Sequence, residues 1–244
     1  MVIYSGLEQA DIVAVTFDDG PNPKITPRIL KVLEHQGVKA TFFLTGKGAE
    51  KYPDIVRQII SNGHDVGNHT YTHKPLASLC RNEGEQAVKE EIKNGLEAIK
   101  RIAGISEKEL QFFRPPYLDW NSKVGGIAKP FYRDRIVMSW LGSNDFSWGD
   151  GNHYWDENDI AGINYKAEEI IYDVGSNTVP GSIITLHDSA EYGIAGNIYY
   201  PTWMNRAIPT LRALPMIIDN LHKKNLKIKK LSEMSLRREP IRVQ

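Results

Sequence analysis

The chain has 244 residues, 41% hydrophobic and 25% charged, which suits one globular domain over residues 1–244. Thirty basic residues balance 30 acidic ones, so net charge recruits neither nucleic acid nor an anionic membrane. No run approaches the roughly 18 consecutive apolar residues of a membrane span, and a lone cysteine, Cys80, excludes an internal disulfide and reads as a small buried apolar residue.

Met1 to Gly6 lack the basic and apolar regions of an export signal, as expected of a cytoplasmic chain or of one trimmed of a leader for the envelope or exterior. Ile12 to Phe17 is an apolar β-rich run that ends at Asp18-Asp19-Gly20. Ile25 to Glu34 carries apolar residues at 25, 29, 32 and 33 with Gly37 as a stop, the pattern of an amphipathic helix. A strand over Ala40 to Leu44, a helix over Glu50 to Ser61 and a strand over His64 to Gly67 follow. Next come His69-Thr70-Tyr71-Thr72-His73, a helix over Glu85 to Ala103, and a strand over Phe112 to Arg114 that leads into Pro115-Pro116-Tyr117. Strands over Arg135 to Trp140, Ser182 to Leu186 and Leu226 to Lys229, with a helix over Asn205 to Leu221, complete the alternation. About seven strands interleaved with helices predict a parallel α/β barrel, in which catalytic groups gather at the carboxyl ends of the strands. Asp18, Asp19, His69, Arg114, Asp145 and His187 all fall there.

Two adjacent carboxylates at the end of a buried strand repel each other and both lose water. A cation resolves the conflict, because one carboxylate can ligate it while the other stays ionised beside it as a base. His69 and His73 stand four residues apart, the spacing of one helical face. With Asp19 they offer two nitrogens and one oxygen to a single ion, with positions left open for water and substrate. Zinc suits that set, cobalt and nickel tolerate it, and the histidines argue against magnesium or calcium. Non-haem iron oxygenases use a similar set, so the surroundings decide. Asp18 is placed to take a proton from a water acidified by the ion. His187, ending another strand, is placed to give one to a leaving group. A base and an acid flanking a Lewis acid are the parts for hydrolysing an amide or ester; oxygenases need no such pair. After Arg114, two prolines stiffen the loop and remove two amide donors, leaving the Tyr117 N–H as a candidate oxyanion contact and the Arg114 guanidinium to pair with Asp18.

Together these segments resemble the polysaccharide deacetylase family, also called the NodB-homology family or carbohydrate esterase family 4, from about Val13 to Leu231. Thr16-Phe17-Asp18-Asp19-Gly20 is similar to the first family motif, His69-Thr70-Tyr71-Thr72-His73 to the second, Arg114-Pro115-Pro116-Tyr117 to the third and Leu186-His187 to the fifth. The resemblance implies a distorted (β/α)7 barrel as a single catalytic domain. It makes Asp18 the general base, Asp19, His69 and His73 the metal ligands, and His187 the general acid. Arg114 then orients the base, the Tyr117 amide binds the oxyanion, and Leu186 lines the pocket for the acetyl methyl. The fourth motif departs from the family: Ser143-Asn144-Asp145-Phe146 keeps Asp145 to tune the acid histidine but has Phe146 where tryptophan walls the pocket. Leu118 stands where glycine is common. The implied activity is metal-dependent removal of N-acetyl groups from an aminosugar polymer or oligomer of chitin or peptidoglycan type. Alternatives are O-deacetylation of acetylxylan, hydrolysis of a small amide, and a sugar-binding homologue without catalysis. The last would be marked by loss of Asp18, a metal ligand or His187, and all are present.

Two loops, 146–156 and 192–203, are rich in glycine, asparagine and aromatic residues. Rings beside polar side chains are natural sugar subsites, with Trp148 and Trp155 the leading candidates and Tyr199, Tyr200 and Trp203 behind them. Otherwise these rings pack the loops onto the barrel. His153 has no partner at ligand spacing. Oligomeric state is not fixed by the sequence.

Overall fold

Val2–Gly6 (β1) and Ile12–Asp18 (β2) are largely buried strands of a computed structural model that describes residues 2–7, 11–106, 109–133, 135–138, 160–189, 194–195, 198–199 and 207–239. From β2 the chain alternates through Thr26–His35 (α1), Thr41–Leu44 (β3), Gly46–Lys51 (α2), Pro53–Ser61 (α3) and Asp65–Asn68 (β4). Helices Leu76–Glu83 (α4), Glu85–Ala103 (α5), Ser122–Tyr132 (α6) and Ile160–Asn177 (α7) come next. After Ile183–His187 (β5) and the short pair Ile194–Ala195 (β6) and Ile198–Tyr199 (β7), the chain closes with Ala207–Lys223 (α8), Lys227–Ile228 (β8) and Leu236–Glu239 (β9). None of the described helices is long and apolar enough to cross a membrane.

β2 lies at the centre, parallel to β3, β5 and β8, with β4 parallel to β3 on its far side. Beyond β4 the wall continues through single parallel bridges, Asn68 to Phe113, Phe113 to Ile136 and Val137 to Ile3. The result is the expected distorted (β/α)7 barrel. The strands expected at 112–114 and 135–140 are thus reduced to bridges, and residues 139–140 lie outside the described residues. The cause at the first is chemical: Pro115 and Pro116 have no N–H with which to extend a ladder past Arg114. An antiparallel pair, β1 with β9, was not anticipated.

Successive side chains on a strand point to opposite faces. Val13, Val15, Phe17, Phe42 and Leu44 pack with the helices in the larger apolar cluster, whereas Ala14, Phe43, Val137, Ile183 and Ile3 form a second one inside the barrel. Thr16 and Asp18 share the face of Ala14, so the chain places a carboxylate at the barrel's mouth by continuing a buried strand one step too far. The helix expected over Glu50 to Ser61 is two helices. Pro53 cannot continue α2 and instead opens α3 at the first helical position, where its missing N–H costs nothing.

His64, at the start of β4, is buried, and its Nδ1 accepts the Ala40 N–H at 3.1 Å. Burial, with the charges of Lys39 and Lys230 outweighing Asp65, lowers its pKa from 6.5 to about 4. Protonation would also place a proton on the nitrogen that must accept. The unfolded chain therefore binds more protons than the native one between these two values, and stability should fall as pH drops through that window, by about 2 kcal/mol at pH 5. Urea midpoints measured from pH 7 to pH 4.5 check this. A His64→Gln variant should show a flatter profile, and an unchanged slope would remove His64 as its source.

Candidate metal centre

β2 delivers Asp18 into the barrel's mouth, and the chain then turns sharply. Asp19 takes φ 75, a left-handed value unusual for a side-chain-bearing residue, and Gly20–Pro21 is a cis peptide. The turn is fixed from beneath by Asp188, which is fully buried and stands so close to Gly20 that a Cβ there would overlap both carboxylate oxygens. Thr26 donates its hydroxyl to Asp188 Oδ2 at 2.5 Å and accepts the Asn22 N–H at 2.7 Å, while Asn22 Oδ1 accepts the N–H groups of Lys24 and Ile25. Burial pushes the Asp188 carboxyl up to about 7, against the Thr26 hydrogen bond and with the help of nearby Asp19 and Asp18.

Asp19, His69 and His73 each point one ligand atom at a common region, all within 4.8 Å of one another. His73 Nε2 is 2.9 Å and His69 Nε2 3.3 Å from the same oxygen, Asp19 Oδ1. The His69 tautomer follows from its other nitrogen, which lies 2.7 Å from the Arg114 carbonyl. A carbonyl only accepts, so Nδ1 carries the proton and, in the neutral ring, Nε2 presents a lone pair. Asp19 Oδ1 is itself buried without a hydrogen bond. Acceptors converging on one point fit a cation, and two nitrogens with one oxygen fit zinc-like ions. Burial pushes the Asp19 carboxyl up, but the charge of His73, the close approach of both ligand histidines and the charge of His187 overturn this and hold it well below the usual carboxylate range.

The helical placement expected for the two histidines is corrected. Residues 69–75 form no helix, and Thr70 and His73 have φ of 66 and 63. A doubling-back loop brings the rings together, with centroids 4.9 Å apart. His69 N–H donates to the Leu44 carbonyl, and the His73 N–H to Thr70 Oγ1.

Arg114 is wholly buried, its guanidinium carbon 4.2 Å from the centre of the Phe43 ring. Nη1 donates to Asp18 Oδ1 at 2.7 Å and to Thr16 Oγ1 at 2.8 Å. Burial lowers the Arg114 pKa and the Asp18 charge opposes that. Tyr117, in a 3-10 turn over Pro116–Leu118, has φ 57 and lays its half-exposed ring 4.7 Å from that of His73. Leu118 has φ 52, a backbone state that favours glycine.

On β5, His187 stands in register with Asp18, on the same barrel face. Leu186 does not share that face. It pairs with Phe17, is fully buried, and packs in the layer between sheet and helices, so the expected role at the acetyl pocket is corrected by strand alternation. Asp145, Phe146, Trp148, Trp155, His153, Tyr200 and Trp203 lie outside the described residues, as does the Tyr199 side chain.

Three residues of the assembly receive no role from the sequence. Thr16 lies within the first motif, and Asp188 directly follows His187. Glu91 is remote in sequence, yet it accepts the Tyr71 N–H at 3.2 Å, the Thr72 N–H at 2.8 Å and the Thr72 hydroxyl at 2.6 Å. A signal existed: Glu91 falls three residues after Val88 and four before Gly95, on the core-facing stripe of α5.

The polysaccharide deacetylase family model matches residues 6–131. A peptidoglycan-N-acetylglucosamine deacetylase of Bacillus cereus is 34% identical over 214 residues, covering 86% of this chain and 66% of that protein, just under two thirds of the relative's length. A chitooligosaccharide deacetylase of Azorhizobium caulinodans is 31% identical over 176 residues, 72% of this chain and 73% of that protein. Among solved structures, the Bc1960 peptidoglycan N-acetylglucosamine deacetylase in complex with 4-naphthalen-1-yl-N-oxidanyl-benzamide superposes with a TM-score of 0.74 at 31% identity, covering 96% of this chain and 92% of that one.

Proposed function

The chain belongs to the polysaccharide deacetylase family, and on that premise we propose that it is a metal-dependent hydrolase removing N-acetyl groups from an aminosugar polymer or oligomer of chitin or peptidoglycan type. The observation that carries this reading is one constellation: a buried carboxylate, Asp18, tethered by Arg114 beside the Asp19, His69 and His73 cluster, with His187 opposite it in register. The names of the relatives support the substrate class.

Asp19, His69 and His73 would hold a divalent ion, zinc by donor chemistry with cobalt or nickel as substitutes, supplying Lewis-acid polarisation and acidification of water. The remaining work falls to the chain. Asp18 commits Oδ1 to Arg114, which fixes the carboxylate in place, and takes the proton of the attacking water on Oδ2. The His69 Nδ1–H to the Arg114 carbonyl links base and ligand rigidly. Tyr117, whose ring lies against that of His73, borders the place where the acyl oxygen gains charge. His187 delivers a proton to the departing sugar nitrogen.

The test is acetate release, with and without chelator, from chito-oligosaccharides, peptidoglycan fragments and acetylxylan. Chelator-sensitive release from an N-acetyl substrate is expected; release from acetylxylan alone overturns the amide assignment. His69→Ala should lower metal affinity and activity together, by more than the roughly 10-fold that loss of an outer partner costs. Full metal stoichiometry with full rate in that variant removes His69 from the ligand set.

A further inference from the structure

We propose that Glu91 and Gly95 of α5 are positioning residues for the metal centre, shaping the loop that carries both histidines; this rests on the assignment of Asp19, His69 and His73 as ligands. The loop needs external support. Thr70 and His73 hold φ values of 66 and 63, where a β-branched residue and an imidazole are strained and persist only because the surroundings over-determine them.

Support comes from two sides. The single carboxylate of Glu91, only 9% exposed, takes three hydrogen bonds from the two residues between the strained Thr70 and His73, namely both backbone N–H groups of Tyr71 and Thr72 and the Thr72 hydroxyl. On the other side, the N–H groups of Gly46 and Lys47 at the start of α2 donate to the carbonyls of Thr70 and Tyr71 at 2.9 and 3.0 Å. Donors and acceptors of the same short segment are thus clamped by different helices.

Gly95, one helical turn after Glu91, supplies the room. A Cβ there would lie 2.6 and 2.7 Å from the carbonyl carbon and oxygen of Thr70 and would overlap the Asn68 side-chain oxygen. Asn68 Nδ2 in turn donates to the Ile92 carbonyl and the Tyr132 hydroxyl at 2.9 and 2.8 Å, fastening the residue before His69 to the same helix. A glycine inside a helix is unfavourable against alanine, so Gly95 is placed for contact with the loop rather than for the helix.

The role is geometric, and it predicts a specific ranking. Glutamine can reproduce the pattern, its carbonyl accepting the two backbone N–H groups and its NH2 donating to the Thr72 oxygen. Alanine cannot. Cobalt affinity would be measured by chelator competition, alongside the visible spectrum of the cobalt-loaded protein, which reports ligand geometry. Glu91→Ala should weaken cobalt binding about 10–100-fold and alter the spectrum, as loss of a ligand's outer partner does, whereas Glu91→Gln stays within a few-fold of wild type. Gly95→Ala, which strengthens the helix locally, should reproduce the affinity loss and keeps the test decisive if Glu91→Ala does not fold. A Glu91→Ala or Gly95→Ala protein with lower melting temperature but wild-type cobalt affinity and spectrum overturns the proposal. So does a Glu91→Gln protein as impaired as Glu91→Ala, since charge would then be the operative property. Failure of the wild type to bind cobalt overturns the ligand assignment itself, and this inference with it.

Discussion

Asp18→Asn should lower turnover of an N-acetyl oligosaccharide about 10²–10⁴-fold, the usual loss when a general base is removed, while metal content stays at the wild-type level. Asparagine keeps the shape of the side chain at a site that is 3% exposed. Arg114 Nη1 demands an acceptor, so the asparagine oxygen turns toward it and the NH2 group occupies the position from which Asp18 would take a proton. The metal cluster is untouched, because the two histidines converge on Asp19 Oδ1 and not on Asp18. The variant also leaves the buried guanidinium without its anion, a change that should lower the melting temperature even though the cluster persists. Turnover, bound metal by elemental analysis and thermal unfolding together check the claim. Near wild-type turnover in a metal-replete variant would reduce Asp18 to a structural partner of Arg114.

The barrel was legible because parallel strands buried on both faces read as continuous apolar runs, and β2, β3 and β5 are such runs. Helix α7 was missed as well as the elements below, each of which carries a contrary local signal. α6 contains Gly125, Gly126 and Pro130, residues that speak against a helix interior, and it forms because Val124, Ala128 and Tyr132 bury a stripe against the core. α4 is a helix of eight residues whose apolar stripe, Leu76, Ala77, Leu79 and Cys80, covers little more than one turn before Arg81, Asn82 and Glu83, too short to stand out. β1 pairs with β9 across nearly the whole chain, and no local pattern specifies such a partner.

At the site, the chemistry of Asp18, Asp19, His69, His73 and Arg114 was readable from residue type and order, and the structure brings all five together. The backbone that does so was not readable. A four-residue histidine spacing is compatible with a helix or with a doubled-back loop, and the choice is made by Glu91, Gly46 and Lys47, which are distant in sequence. Leu186 illustrates the same limit at a finer scale. Its neighbour His187 faces the barrel mouth, and the period of two in a strand turns Leu186 to the opposite side.

That alternation also frames the second large effect. His187→Ala should lower turnover of an N-acetyl substrate about 10²–10⁴-fold while costing an activated aryl acetate much less. An amine is expelled only as it gains a proton, whereas an aryl oxide departs without one, so only the amide depends on a general acid. The position suits the role: β5 sets His187 in parallel register with Asp18, on the strand next to the base-bearing one. Asp188, the next residue, is locked beneath by Thr26 and by the absence of a side chain at Gly20, so the strand end has little freedom to drift. Alanine at 187 leaves those contacts in place, and metal content should remain that of wild type. The comparison is of kcat/KM for both substrates across pH, wild type against variant. A loss confined to the amide supports proton delivery by His187. Equal losses on amide and aryl ester would instead assign His187 to positioning or to electrostatic support of Asp19, whose carboxylate its charge helps keep ionised.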